Sequence, residues 1–260
     1  MEQHLGLIVF GFVVGTLGTL IGAGGGFVLM PVLLLLYPHD SPDTITSISL
    51  AVTFANAFSG SLAYARMKRI HYRYGLIFAA AAVPGSILGA VSTYYIQRRT
   101  FDIVFGVVLF AVSAFIFFKP PHDHDGDGKQ DIRLSRDKLF VGILFSIGVG
   151  FVSSFLGIGG GIIHVPALAG ILEFPVHIAT ATSHFILAIV TFVGVLVHVA
   201  TGTFHHGVVR TAFLALGVLL GAQLGALLSV KIKGPLIIRV LAIALIVVAL
   251  RLLFFSSSLR

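Results

Sequence analysis

Six stretches of this chain contain no Asp, Glu, Lys or Arg: Leu5 to Tyr37, Thr44 to Ala65, Tyr74 to Gln97, Leu139 to Leu172, Phe174 to Val209 and Thr211 to Val230. Each reaches the roughly 20 residues that span a hydrocarbon core, so a polytopic membrane protein is expected. Ile103 to Phe118 and Leu236 to Phe255 add two weaker spans, the second with Arg239 and Arg251 near its ends, where they can snorkel. Charged residues are 10% of the 260 positions and hydrophobic ones 57%, too few charges to coat a soluble domain of this size. Strand-period alternation is missing, which argues for an all-α chain and against an outer-membrane barrel.

Charge and cysteine usage narrow the classes further. The formal net charge of +7 sits in short basic clusters between apolar spans, the pattern of topology signals rather than of a nucleic-acid surface. The partner expected for that charge is the lipid bilayer and its anionic headgroups; no nucleic acid is expected, and the oligomeric state is not legible. With no cysteine there is no disulfide, thiolate metal site or thiol nucleophile. No motif calls for a cofactor, and no nucleophile with its base or H-E-x-x-H pattern supports an enzyme. Met1 to His4 carries Glu2 and no Lys or Arg, so a cleaved signal peptide is not expected.

The chain is duplicated. GAGGGFVLMP, Gly22 to Pro31, returns 135 residues later as GIGGGIIHVP, Gly157 to Pro166. At that shift Val14 to Leu33 and Val149 to Leu168 share eight of twenty residues, four of them motif glycines and one the proline. A shift of 134 pairs Thr46 with Thr180, Ser49 with Ser183, Gly60 with Gly194 and His71 with His205, and a shift of 136 pairs Gly85 and Gly89 with Gly221 and Gly225. The division is an N-terminal transmembrane repeat over 1–118, a polar linker over 119–137 and a C-terminal transmembrane repeat over 138–260. Each repeat has room for about four or five helices, and interrupted segments at matching places mark a transporter core with its site near the midplane.

Leu5 to Tyr37 is 33 residues long, too long for one straight crossing, so it tilts, re-enters or crosses twice. Counting Arg66, Lys68, Arg69 and Arg73 against Arg98, Arg99 and Arg210 favours inverted over parallel repeats. On that reading the termini and the Asp40 and Asp43 segment lie outside and the linker is cytoplasmic.

Together these motifs resemble the TauE/SafE family of sulfite and organosulfonate exporters, also called TSUP. The resemblance rests on the duplicated G-x-G-G-G-x-x-x-x-P-x-L pattern, Thr46 and Ser49, Thr180, Thr182 and Ser183, and the Gly85/Gly89 and Gly221/Gly225 pairs, and covers nearly the whole chain. It implies an inner-membrane secondary transporter, an exporter of small sulfur-containing anions. Half one departs from half two in having Ile48 where half two has Thr182. A permease for another solute or a metal ion is the alternative, ahead of an anion channel or an intramembrane enzyme.

Three consecutive glycines permit positive φ, break a helix and let a ligand reach the main chain. A half-helix starting there aims its free N–H groups and positive dipole end inward, an anion site without Arg or Lys. Gly24, Gly25, Gly26, Gly159, Gly160 and Gly161 are therefore the primary substrate-binding candidates, with Pro31 and Pro166 as the other possible starts of the half-helices. Gly85, Gly89, Gly221 and Gly225 read as helix packing. The hydroxyl and amide candidates are Ser49, Asn56, Thr182, Ser183 and Gln223, because a sulfonate offers almost only acceptors. Thr46, Ser47 and Thr180 are weaker, since such side chains often bond their own helix.

His164, His184 and His198 lie in half two, where half one has Leu29, Leu50 and Tyr64. His164 and His184 are the proton-coupling candidates, and His198 reads as packing. Asp123, Asp125 and Asp127 in the linker resemble a calcium loop, but Leu134 stands where the bidentate Glu belongs, so a solvated acidic loop is the default.

Overall fold

The computed structural model describes residues 2–118 and 132–229, with 246 and 250. Among these residues every regular element is a helix. The chain runs α1 (Glu2–Ile21), α2 (Gly26–Leu36), α3 (Pro42–Arg66), α4 (Tyr72–Ser92), α5 (Arg98–Phe118), α6 (Arg136–Leu156), α7 (Gly161–Pro166), α8 (Val176–Ala200) and α9 (Val208–Leu228). A π-helical turn, Ala167–Ile171, extends α7, and short 3-10 turns precede α5 and α9. Among the described residues five helices are long and apolar enough to cross a membrane: α3, α4 with its 3-10 extension, α6, α8 and α9. The chain is thus an all-helical, multi-pass membrane protein. The linker aspartates and the weak span from Leu236 lie outside the described residues.

The two long uncharged stretches that hold the glycine motifs are each broken there. Leu5 to Tyr37 becomes α1 and α2, and Leu139 to Leu172 becomes α6 and α7 with its π turn. Duplication is visible in the packing. α1 lies on α9 and α4 on α6, so the first helix of each half packs against the fourth of the other. Both contacts depend on bare glycine faces. A Cβ on Gly85 would strike the Ile147 carbonyl and one on Gly89 the Phe151 carbonyl, while Gly217 and Gly221 meet the Ile8 and Phe12 carbonyls in the same way. Close backbone approach at small residues is how helices gain contact in lipid, where no hydrophobic driving force separates them from the solvent.

Helices α3 and α8, which correspond in the duplication, cross at the centre with opposite sense: Gly60 lies against His184, whereas Gly194 lies against Leu50. α1 and α9 run with the same sense, as do α4 and α6, since the contact positions rise together along each pair.

The ends of the bundle differ in chemistry. At one end the Leu134 amide donates to the Tyr74 hydroxyl at 2.9 Å, and the His71 ring meets Tyr74 and Phe174. At the other, Arg98 donates to the carbonyls of Leu34, Tyr37 and Asp40 and pairs with Asp102 at 2.8 Å. Arg210 there binds the Asp40 carboxylate and lies 3.8 Å from the centre of the Tyr37 ring. These arginine contacts hold the C-terminal end of α2, whose last carbonyls no longer have helix donors, to α5 and α9.

Candidate functional site

The glycine loops are the structural centre. Gly22, Gly24 and Gly25 have φ of 80°, 77° and 78°, and Gly157, Gly159 and Gly160 have 68°, 80° and 75°. Six positive-φ positions inside apolar segments explain why glycine is needed: any other L-residue would carry a steric penalty at each. The left-handed turn at Gly25 starts α2 at Gly26, and that at Gly160 starts α7 at Gly161. Pro31 and Pro166 fall later, inside α2 and at the last residue of α7, so the glycines rather than the prolines mark where the half-helices begin. The Gly25 carbonyl accepts from Val28 and Leu29, and the Gly160 carbonyl from Ile163 and His164. The N–H groups before these, at Gly26, Phe27, Gly161 and Ile162, belong to the first turn and point out of the helix start.

The two loops touch. A Cβ on Gly161 would stand 2.6 Å from the Gly22 carbonyl oxygen, and one on Gly26 would stand 2.7 Å from the Ile158 carbonyl oxygen. Each half-helix therefore starts against a carbonyl of the opposite loop. Across from them stand Thr53 of α3 and Leu187 of α8, positions that correspond in the duplication, and both Gly24 and Gly159 rest on this pair. All six candidate glycines are buried.

Hydroxyls tie the loops down reciprocally. Ser49 donates to the Gly157 carbonyl at 2.6 Å, and its counterpart Ser183 donates to the Gly22 carbonyl at 3.3 Å. Asn56 lies against Gly25; its Oδ1 accepts from Thr19 at 2.9 Å, while its Nδ2 is buried without a partner. Two more buried hydroxyls lack partners beside the helix starts, Thr53 Oγ1 next to Gly26 and Ser153 Oγ next to Gly160. Unpaired buried donors are costly, about 1–3 kcal/mol each, and these three, divided between the two helix starts, call for a water, a ligand or a second conformation.

Other sequence candidates lie elsewhere. Thr182 accepts from the His71 amide at 3.0 Å, tying α8 to the entry of α4. Gln223 donates to the Ser59 carbonyl and hydroxyl at 2.8 Å, joining α9 to α3. Thr46 and Ser47 bond their own helix, and the Thr180 methyl lies against Gly22. His164 is buried on α7, 3.4 Å from the Ser146 hydroxyl of α6 and beside Phe78 and Phe145. His198 faces Thr203 at 3.3 Å near the end of α8.

His184 is closer to the centre. Its Nε2 is 3.2 Å from Thr19 Oγ1 and its ring stands edge-on to Tyr64, whose hydroxyl donates to the Thr19 carbonyl at 2.7 Å. The Thr19 proton goes to Asn56 Oδ1, so Thr19 links the His184 ring to Asn56, and His184 Nδ1 is buried without a hydrogen-bond partner. Thr19, Thr53 and Ser153 were not among the sequence candidates. The available signal was their position as polar residues within a few residues of a glycine loop or opposite it.

A family model for sulfite exporter TauE/SafE matches residues 7–252. The chain belongs to the sulfite exporter TauE/SafE family. Its relatives in that family are named as membrane transporters, not as enzymes. The Bacillus subtilis (strain 168) protein named Probable membrane transporter protein YunE is 31% identical over 265 residues, covering 95% of this chain and 96% of its own length. A Methanocaldococcus jannaschii protein with the same descriptive name is 28% identical and covers 87% of this chain and 86% of itself. One from Haemophilus influenzae is 25% identical, with 94% and 93% covered. No solved structure matches the chain. This is a membrane transporter of the TauE/SafE type, and the glycine loops that carry its duplicated motif are the parts that meet at its centre.

Proposed function

We propose that the protein is a secondary transporter that carries a small sulfur oxyanion, such as sulfite or an organosulfonate, across the inner membrane, acting as an exporter. The observation that carries this reading is the meeting of two glycine-started half-helices beside three buried donors that lack acceptors, Thr53 Oγ1, Asn56 Nδ2 and Ser153 Oγ. Helix N-termini and hydroxyl or amide donors attract an anion without the cost of a buried cation. In the closed arrangement the carbonyls of Gly22 and Ile158 lie against the opposite helix starts. An oxyanion entering between the loops would displace those carbonyls as acceptor, so binding would favour a parted state of the two repeats.

An inverted arrangement is supported by the opposite sense of α3 and α8. Arg66, Lys68, Arg69, Arg73, Arg133, Arg136 and Lys138 gather at one end, against Arg98, Arg99 and Arg210 at the other. The first end is then cytoplasmic, with the linker, and the termini lie outside. His184, whose ring is joined through Thr19 to Asn56 and whose Nδ1 is buried without a partner, is the group through which proton uptake would assist anion binding, and His164 is a second candidate.

The test is flux in proteoliposomes of sulfite, sulfate, taurine and sulfoacetate, with and without a pH gradient. Saturable sulfite or sulfonate flux is expected. Asn56→Leu should weaken anion affinity about tenfold, the value of one hydrogen bond to a charged group. If none of the four anions moves or competes, the substrate reading fails; if flux ignores the pH gradient, proton coupling fails.

A further inference from the structure

A groove between α3 and α8 opens at the side of the bundle. Its volume is about 410 Å³, within the roughly 300–1,000 Å³ of small-molecule sites. Phe54, Phe58, Phe185 and Phe192 line it, with Tyr72 at one end, and the Phe54 and Phe192 rings lie 5.2 Å apart. Phe58, Tyr72 and Phe192 are about half exposed, so the groove faces whatever surrounds the bundle. In α3 it runs from Phe54 to Ala65, about 16 Å at roughly 1.5 Å per residue. That is half of a hydrocarbon core about 30 Å thick, the depth of one leaflet.

Two polar features break its apolar lining. Ser61 Oγ is buried in the groove wall without a hydrogen-bond partner. Directly beyond Ala65 the chain turns through Arg66, Lys68, Arg69 and Arg73, of which Arg66, Lys68 and Arg73 are exposed. An apolar slot of one-leaflet depth with cations at its headgroup end is complementary to a single chemistry, an anion on an acyl chain. The same basic turn is the one that positive-inside counting assigns to the cytoplasmic side, where the membrane surface is itself anionic.

We propose that the α3–α8 groove is a binding site for an anionic phospholipid, with one acyl chain against the phenylalanines and the phosphate at the Arg66 to Arg73 turn. The site is independent of the transported substrate. It places lipid against the one helix pair whose crossing carries both glycine loops, since Gly24 and Gly159 rest on Thr53 and Leu187 of these same helices.

Native mass spectrometry of the full-length protein, purified in mild detergent and offered phosphatidylglycerol and phosphatidylcholine of equal chain length, tests this. Phosphatidylglycerol should be retained in preference. The exposed double substitution R66Q/K68Q should lower that preference about 25-fold, at the usual worth of a basic residue at a membrane surface. Ala188→Trp, which fills the groove, should remove both lipids while the protein elutes as the wild type does. Equal retention of the two lipids by the wild type, or an unchanged preference in R66Q/K68Q, overturns the proposal. So does cross-linking that places a second copy of the chain on the Phe58 and Phe192 face.

Discussion

At the residue scale the glycine motif divides into positions with different jobs. Gly24 and Gly25, like Gly159 and Gly160, supply a left-handed backbone; Gly26 and Gly161 have ordinary helical backbone and supply closeness to the opposite loop. Alanine at Gly25 would carry roughly 1–2 kcal/mol of left-handed strain and would also meet the Val14 carbonyl at 2.9 Å. At Gly160 the backbone is equally left-handed and the nearest atom is Ser153 Cβ at 2.9 Å, which is fixed to its main chain and cannot turn aside. Gly25→Ala and Gly160→Ala are therefore both expected to lower thermal stability and to reduce flux. Thermal unfolding in detergent alongside proteoliposome flux checks both effects; undiminished flux in both would leave the loops as packing only. The triple glycine was legible in the sequence because helix breaking inside lipid is so costly. The roles of Thr53, Ser153 and Thr19 were not, because a hydroxyl in an apolar helix bonds its own carbonyl or reaches a neighbour according to which helix lies opposite.

Elements here are held by two different kinds of contact. α4 on α6 and α1 on α9 pack at glycine faces, which the spacing of Gly85/Gly89 and Gly221/Gly225 announced. The short helix α2 has no such face and depends on Arg98, whose guanidinium serves the carbonyls of Leu34, Tyr37 and Asp40 while Asp102 holds it in place. Nothing in the sequence ties Arg98 to carbonyls about 60 residues earlier; only the return of α5 to that end of the bundle brings them together. A lysine cannot reproduce that fork of donors. Arg98→Lys should speed amide hydrogen exchange over residues 34–40, with exchange at the α4–α6 contact unchanged. Uniform exchange across both regions would show that Arg98 does not act as a local clamp.

For the molecule as a whole, the inverted reading makes a statement about sides. The absence of native cysteine makes any introduced one unique. Tyr95→Cys, in the exposed turn before α5, should react with a membrane-impermeant maleimide in intact cells. Lys68→Cys should react only after permeabilisation. Equal labelling of the two would contradict inverted repeats with the basic turn inside.

Membrane location, duplication, the breaks in the two uncharged stretches that hold the glycine motifs and the family itself were all determined by the sequence, because solvation in lipid acts on composition and local backbone preference, and both are written along the chain. The tertiary structure alone decided that the two glycine loops touch, that Ser49 and Ser183 each secure the other repeat's loop, and that Thr182 meets the His71 amide and Gln223 the Ser59 carbonyl and hydroxyl. Those outcomes depend on the crossing sense of α3 and α8, which brings residues more than 100 positions apart into contact, and a local pattern carries no record of which distant helix it will face.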